Sequence, residues 1–112
     1  MSEPRAPQGQ AAAVRFLDLD GVADKAAFME RCATVLGLPD WFGRNWDALA
    51  DALADPGQWP DSGRGLVLVV TGWQAFETRG PGQWATARDV LTEAVRRRRG
   101  SEAPLTVALG LV

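Results

Sequence analysis

The sequence predicts an α/β domain built on a parallel sheet. Short apolar segments rich in β-branched residues alternate along the chain with segments whose apolar residues repeat at helical spacing. The run at 66–70 is continuously apolar, as expected of a buried parallel strand. Because alternating strands and helices favour parallel pairing, we expect helices packed on this sheet. A chain of 112 residues fits one domain with a single core.

The first predicted strand covers residues 14–19 and ends at a turn that begins at Asp20. Asp24 is placed to cap a helix that runs to about Leu36. Cys32 lies on the apolar face of that helix, so it is expected to be a core thiol.

A tight aromatic turn and a second helix follow. Pro39 and Gly43 bracket the turn, because proline fixes φ and glycine tolerates a positive φ. Asn45 is placed to cap a helix that ends at about Ala54. Its apolar residues recur at i, i+3, i+4 and i+7, at Trp46, Leu49, Ala50 and Leu53.

Three aspartates, Asp47, Asp51 and Asp55, repeat every four residues along another face of this helix. Like charges at that spacing weaken a helix slightly. The acidic stripe therefore indicates an external use.

The second half of the chain is predicted to hold two more strands and a long helix. A strand is predicted over 66–70, followed by a short turn or helix at Trp73 and Phe76 that Gly80-Pro81-Gly82 ends. A helix from about Gln83 to Arg99 then stops at Gly100, and a last strand covers 105–112. Two segments rich in proline and glycine complete the chain: a disordered lead-in over 1–12, before a domain over 13–112, and an exposed connection over 56–65.

Composition excludes several functional classes. There are no histidines, which removes histidine bases, triads that contain histidine and most zinc sites. The single Cys32 cannot form an internal disulfide and suits a reducing compartment. The net charge of −2 does not indicate a nucleic-acid ligand. No apolar window is long enough to span a membrane and no export signal is visible, so we expect a cytoplasmic protein.

One motif suggests an enzyme. Residues 16–22, FLDLDGV, resemble the opening motif of haloacid-dehalogenase-type phosphatases, in which one aspartate attacks phosphorus beside a magnesium ion. Thr71 also resembles the threonine that closes that family's second motif. The remaining parts do not match, because the only lysine, Lys25, lies next to the first motif and the last strand offers no acidic pair. We therefore expect no catalytic residues, no metal site and no cofactor.

Residues 38–53, LPDWFGRNWDALADAL, resemble the barstar family of ribonuclease inhibitors. The family pattern there is leucine, proline, an acidic residue, two aromatic residues, glycine, any residue and asparagine, followed by an Asp-Ala-Leu helix. The similarity continues more loosely from about Val14 to the C-terminus. It implies a small barstar-like fold, a three-stranded parallel sheet with helices packed on it, and an inhibitor that forms a one-to-one complex with a basic, extracellular-type ribonuclease.

The resemblance also implies a partner-binding site. Asp51 aligns with a central carboxylate that occupies the place of the substrate phosphate, Asp47 with a second acidic contact, and Trp41 with an aromatic residue that packs on the enzyme. For Trp41, a half-buried core position is an equal alternative. The complete predicted site is Trp41, Phe42, Gly43, Asn45, Asp47, Ala50, Asp51 and Ala54.

Three positions depart from the family pattern. Ala50 stands where the family has tryptophan, and Ala54 where it has threonine. Arg96 falls where the family has a further acidic contact. These departures indicate that the inhibitor type is kept while the target enzyme differs. The alternative is a barstar-like binding module whose partner is not a ribonuclease. The run at 96–99 is interpreted as solvated cations at a helix C-terminus.

Overall fold

The computed structural model describes residues 13–55 and 65–110. The predicted lead-in over 1–12 lies outside the described residues, as do nearly all of the predicted connection over 56–65 and the last two residues of the predicted final strand. Within the described ranges the chain forms a three-stranded parallel sheet and four helices. The predicted fold class is therefore confirmed.

The elements follow one another in the order β1 (Ala13–Asp18), α1 (Lys25–Leu36), α2 (Trp46–Ala54), β2 (Leu66–Thr71), α3 (Trp73–Arg79), α4 (Pro81–Arg98) and β3 (Leu105–Leu109). The strand order in the sheet is β1-β2-β3, so β2 is central and the other two are outer strands. Both pairs are parallel, and the central Leu68 is in register with Arg15 on one side and Val107 on the other.

One face of the sheet carries the core. The alternating residues Leu66, Leu68 and Val70 of β2 are buried against residues from all four helices. On the opposite face, Val14 and Phe16 are 53% and 63% exposed. The predicted burial of β2 is thus confirmed for one face only, because the side chains between its buried residues are partly exposed.

Aromatic side chains join the helices beneath the sheet. Phe28 of α1 stacks on Phe76 of α3 with ring centroids 5.5 Å apart, and Trp46 of α2 lies 5.6 Å from Phe28. Trp84 of α4 packs edge-on against Phe76 at 6.3 Å and stacks on Trp73 at 5.5 Å. Such pairs favour offset or edge-to-face geometry and contribute beyond their buried area.

The start of α4 differs from the prediction. Gly80-Pro81-Gly82 was expected to end the preceding helix, with the next one starting at about Gln83. Gly80 ends α3, but α4 already begins at Pro81. Proline suits the first position of a helix because its fixed φ is helical and its missing N–H would have had no helical partner. The predicted end is confirmed within one residue, with Gly100 at a φ of 77° just beyond it.

Candidate functional site

The acidic helix α2 begins at a well-formed cap. Asn45 has extended backbone angles, and its side-chain oxygen accepts a hydrogen bond from the Ala48 N–H at 2.7 Å. Its side-chain nitrogen donates to the Gly43 carbonyl at 3.3 Å. The predicted cap is confirmed, and the second bond ties the helix to the turn before it.

The positive φ in this turn belongs to Arg44 and not to Gly43. Arg44 has a φ of 54°, in the left-handed region that few residues other than glycine adopt, whereas Gly43 is outside that region. Glycine is needed at position 43 for a different reason, which is lack of space for a side chain. A Cβ on it would lie 3.2 Å from Nδ2 of Asn45 and 3.3 Å from Cβ of Ala48. The prediction that glycine supplies the positive φ here is wrong.

Arg44 holds the turn in place through several contacts. Its guanidinium pairs with Glu30 of α1, donates to the Phe42 carbonyl at 2.8 Å, and lies 5.8 Å from the centre of the Phe42 ring. These contacts offset the local strain that a left-handed arginine carries. Sequence reasoning missed this residue, because a single arginine between a glycine and a capping asparagine gives no local signal.

The two aromatic residues of the turn face opposite ways. Trp41 is 75% exposed, so the alternative of a half-buried core position is ruled out for it. Phe42 is 5% exposed and belongs to the core. A hydrogen bond from the Phe42 N–H to the Pro39 carbonyl at 2.9 Å closes the turn between them. A partner can therefore reach the Trp41 ring, whereas the ring of Phe42 acts by supporting the turn.

The faces of α2 are sharply divided. Leu49 and Leu53 are buried in the core, whereas Asp47 and Asp51 are exposed. Among residues 13–55 and 65–110, neither of these carboxylates has an ion-pair partner. Ala50 and Ala54 are half-buried between the two faces. Asp55 follows as the C-terminal cap residue and is exposed as well.

Arg96 lies on a different element from the rest of the candidate site. It is exposed in the last turn of α4 and pairs with Glu93 at 2.8 Å. Arg98 in the same run donates from Nε to the Ala103 carbonyl at 3.1 Å. The interpretation of this run as cations at a helix C-terminus agrees with these positions.

The phosphatase-like motif forms a structural turn. The Asp18 carboxylate accepts a hydrogen bond from the Asp20 N–H at 2.9 Å, and Arg31 binds the carbonyls of both residues. Gly72 approaches so closely that a Cβ on it would lie 2.7 Å from the Asp20 nitrogen. In the described part of the chain, no group of three metal-binding side chains is found.

Cys32 is the core thiol that the sequence predicts. It is 3% exposed on α1, and burial raises the pKa of its thiol to about 12. A thiol is a nucleophile and a metal ligand only as the thiolate, so burial makes Cys32 chemically inert in the folded protein.

Comparison with known proteins agrees with this architecture. The family model described as Barstar (barnase inhibitor) matches residues 12–110. The chain therefore belongs to the barstar family, whose members are inhibitors and not enzymes. No curated protein matches the sequence. Among the described residues, no helix is long and apolar enough to cross a membrane.

Proposed function

We propose that this protein is a cytoplasmic inhibitor of a barnase-type ribonuclease and that α2 blocks the active site of the enzyme. The observation that carries the proposal is the pair of exposed carboxylates, Asp47 and Asp51, on a helix whose opposite face is fixed in the core. Membership of the barstar family supports a barnase-type partner.

The proposed mechanism is mimicry of the substrate. A ribonuclease cleft that binds RNA phosphates is lined by cationic groups, and a carboxylate accepts the same charge-assisted hydrogen bonds as a phosphate. Asp51 would occupy the phosphate position, and Asp47 would contact a second cation one turn earlier. Inhibition then requires only that the helix fill the cleft, so it needs no cofactor and no chemical step.

Rigidity of the helix supports this mechanism. Leu49 and Leu53 fix α2 in the core, Asn45 caps its start, and Arg44 fixes the preceding turn. A ligand that is already ordered loses little conformational entropy when it binds. Trp41, which is 75% exposed in the turn before this helix, offers a large apolar contact of the kind found at binding hot spots.

The departures from the family pattern bear on which enzyme is the target. Ala50 and Ala54 offer a partner smaller side chains than the family's tryptophan and threonine, and Arg96 reverses the charge at the third position. A rim charge of the wrong sign repels a surface selected for the other sign. The proposed partner therefore has a basic cleft with an acidic or neutral rim where it meets α4.

The test is a titration of the protein into a barnase-type ribonuclease with RNA cleavage as the readout. Asp51→Asn removes the charge of the central carboxylate and keeps its shape. Asp89→Asn on α4 is the matched control, because Asp89 is also an exposed helical aspartate but lies outside the candidate site. We expect wild type and the control to inhibit, and Asp51→Asn to weaken inhibition about 100-fold or more, since the cation opposite it would be left buried without a partner.

Two outcomes would argue against this proposal. Equal inhibition by Asp51→Asn and wild type would exclude α2 as the blocking element. If affinity capture recovered a partner without nuclease activity, and binding to it depended on Asp51, the protein would be a binding module that uses the same helix for another purpose.

A further inference from the structure

An open groove of about 430 Å³ lies between α4 and the outer strand β3. Its apolar lining comes from both elements, from Leu91 and Val95 of the helix and from Val107 and Leu109 of the strand. Leu109 is 42% exposed. Within the described part of the chain, β3 has a neighbouring strand on one side only. The groove therefore runs beside a sheet edge.

The backbone of β3 offers hydrogen-bonding groups at this edge. The Leu66 N–H donates to the Pro104 carbonyl at 3.0 Å, and the Gly110 N–H donates to the Val70 carbonyl at 2.7 Å. The backbone groups of Pro104 and Gly110 therefore face β2. Because the backbone groups of successive strand residues point to opposite edges, those of the odd-numbered Val107 and Leu109 point away from β2. No described residue hydrogen-bonds to them there. The same two residues thus present apolar side chains and backbone groups that no other described residue pairs with.

The charged lining of the groove is basic. Arg88, Arg96 and Arg99 line its helical side, and no acidic residue is among the lining residues that the structure describes. Only Arg96 has an ion pair within the described ranges, with Glu93, and both side chains of that pair are more than half exposed. An exposed pair of this kind is weak and exchanges easily for a better partner. The charge of the groove is therefore available to an acidic ligand.

We propose that this groove binds an extended acidic segment of a partner protein, which adds to the sheet as a strand beside β3. Its backbone would pair with Val107 and Leu109, its apolar side chains would fill the groove, and its carboxylates would meet the three arginines. The five residues of β3 span about 16 Å, which matches a segment of five or six residues. A nucleic acid would satisfy the arginines but would leave the apolar lining and the strand edge unused.

This inference does not depend on ribonuclease inhibition. The groove shares Arg96 with the proposed enzyme contact, but Arg88 and Arg99 do not belong to the candidate site, and the variants that test the groove change only these two. A failure of either proposal would leave the other intact, because each is tested with its own variants and its own ligand.

The probe is a nine-residue fluorescein-labelled peptide with threonine at the odd positions and glutamate, leucine, glutamate and leucine at the even ones. We expect saturable binding by fluorescence anisotropy, and none for the peptide in which lysine replaces glutamate. Strand addition also predicts that only alternate peptide nitrogens pair with β3. Methylation of the peptide nitrogens that face β3 should abolish binding, whereas methylation of the nitrogens on the other edge should leave it unchanged.

Protein variants test the charge. Arg88→Glu with Arg99→Glu should weaken binding about tenfold or more, because two attractive contacts become repulsive. The matched control is Arg79→Glu with Arg97→Glu, two exposed arginines that do not line the groove. The control should bind the peptide like wild type, and thermal unfolding checks that both double variants are folded.

Three outcomes would overturn the proposal. The first is no saturable binding of the acidic peptide up to about 1 mM. The second is equal loss with both sets of methylated nitrogens, which would exclude strand pairing. The third is tight binding of a twelve-nucleotide RNA that depends on Arg88 and Arg99 while the peptide fails to bind, which would make the groove a nucleic-acid surface.

Discussion

At the scale of single residues, Asn45 has the clearest structural role in the candidate site. Its side chain caps α2 at 2.7 Å and also holds the Gly43 carbonyl. We expect Asn45→Ala to lower the free energy of unfolding by about 1 kcal/mol, because a helix N–H loses its acceptor. Urea unfolding measures this, and Asn45→Asp should keep most of the stability, since its carboxylate also caps. An Asn45→Ala variant as stable as wild type would show that the cap bond contributes nothing.

A second residue-scale prediction concerns Cys32 and pH. Burial raises the pKa of its thiol from 9.0 to about 12. Between these values the unfolded chain releases the proton while the folded protein retains it. The stability that depends on this protonated thiol is therefore fully present below pH 9, and the free energy of unfolding falls as pH rises above it. The expected slope is about 1.4 kcal/mol per pH unit.

The comparison that isolates this effect is wild type against Cys32→Ala, with urea unfolding measured from pH 8 to 10.5. Other groups also titrate in this range, but they contribute to both proteins. The difference in unfolding free energy between the two should shrink as pH rises above 9. A constant difference across the range would contradict the raised pKa.

At the scale of elements, the sequence predicted those features that depend on residues close together in the chain. The caps at Asp24 and Asn45 were predictable, because a capping side chain bonds to an N–H only three residues away. The turn at Arg44 was not, since its left-handed backbone is held by Glu30 on another helix. The sequence predicted that β2 is buried but not that its second face is partly exposed, because the residues on both faces of the strand are almost all apolar.

The candidate site shows the same limit. A spacing of four residues placed Asp47 and Asp51 on one face of α2, and that face is exposed. The opposite orientations of Trp41 and Phe42 were not predictable, because both are aromatic and adjacent in the turn. Nor did the sequence indicate the groove beside β3, since it arises only where the arginines of α4 meet an outer strand.

The two faces of the sheet give an element-scale prediction. Phe28 is fully buried and contacts both Phe76 and Trp46, whereas Phe16 is 63% exposed. Phe28→Ala should lower the unfolding free energy by about 3–5 kcal/mol, through lost burial and the cavity left behind. Phe16→Thr should change it by less than about 0.5 kcal/mol, since threonine also suits a strand. Chemical denaturation of both variants tests this. If the two substitutions lowered the unfolding free energy equally, the core would not be confined to the face of the sheet on which the helices pack.

At the scale of the whole molecule, the charge is divided in a way that the net value of −2 conceals. The exposed aspartates of α2 form an acidic side, and the arginines of α4 form a basic groove. Each surface would attract ligands of opposite sign, and the two belong to different elements. One small domain could thus hold a basic enzyme with α2 and an acidic segment beside β3.

The division of charge predicts how fast the proposed complex forms. Carboxylates that face a basic cleft raise the association rate through long-range attraction, and salt shortens the range from about 10 Å at 0.1 M to about 3 Å at 1 M. The association rate constant with a barnase-type ribonuclease should therefore fall about tenfold or more over that range, whereas the dissociation rate should change much less.

Stopped-flow fluorescence of tryptophan at several ionic strengths measures both rates. Asp51→Asn should reduce the dependence of association on salt, because one steering charge is removed, and Asp89→Asn should change it less, since Asp89 is an exposed aspartate of α4 that does not belong to the candidate site. An association rate that is the same at low and high salt would show that shape and apolar contact at Trp41, and not charge, direct the encounter. An equal effect of the two substitutions would assign steering to net charge and remove any special role of the α2 stripe.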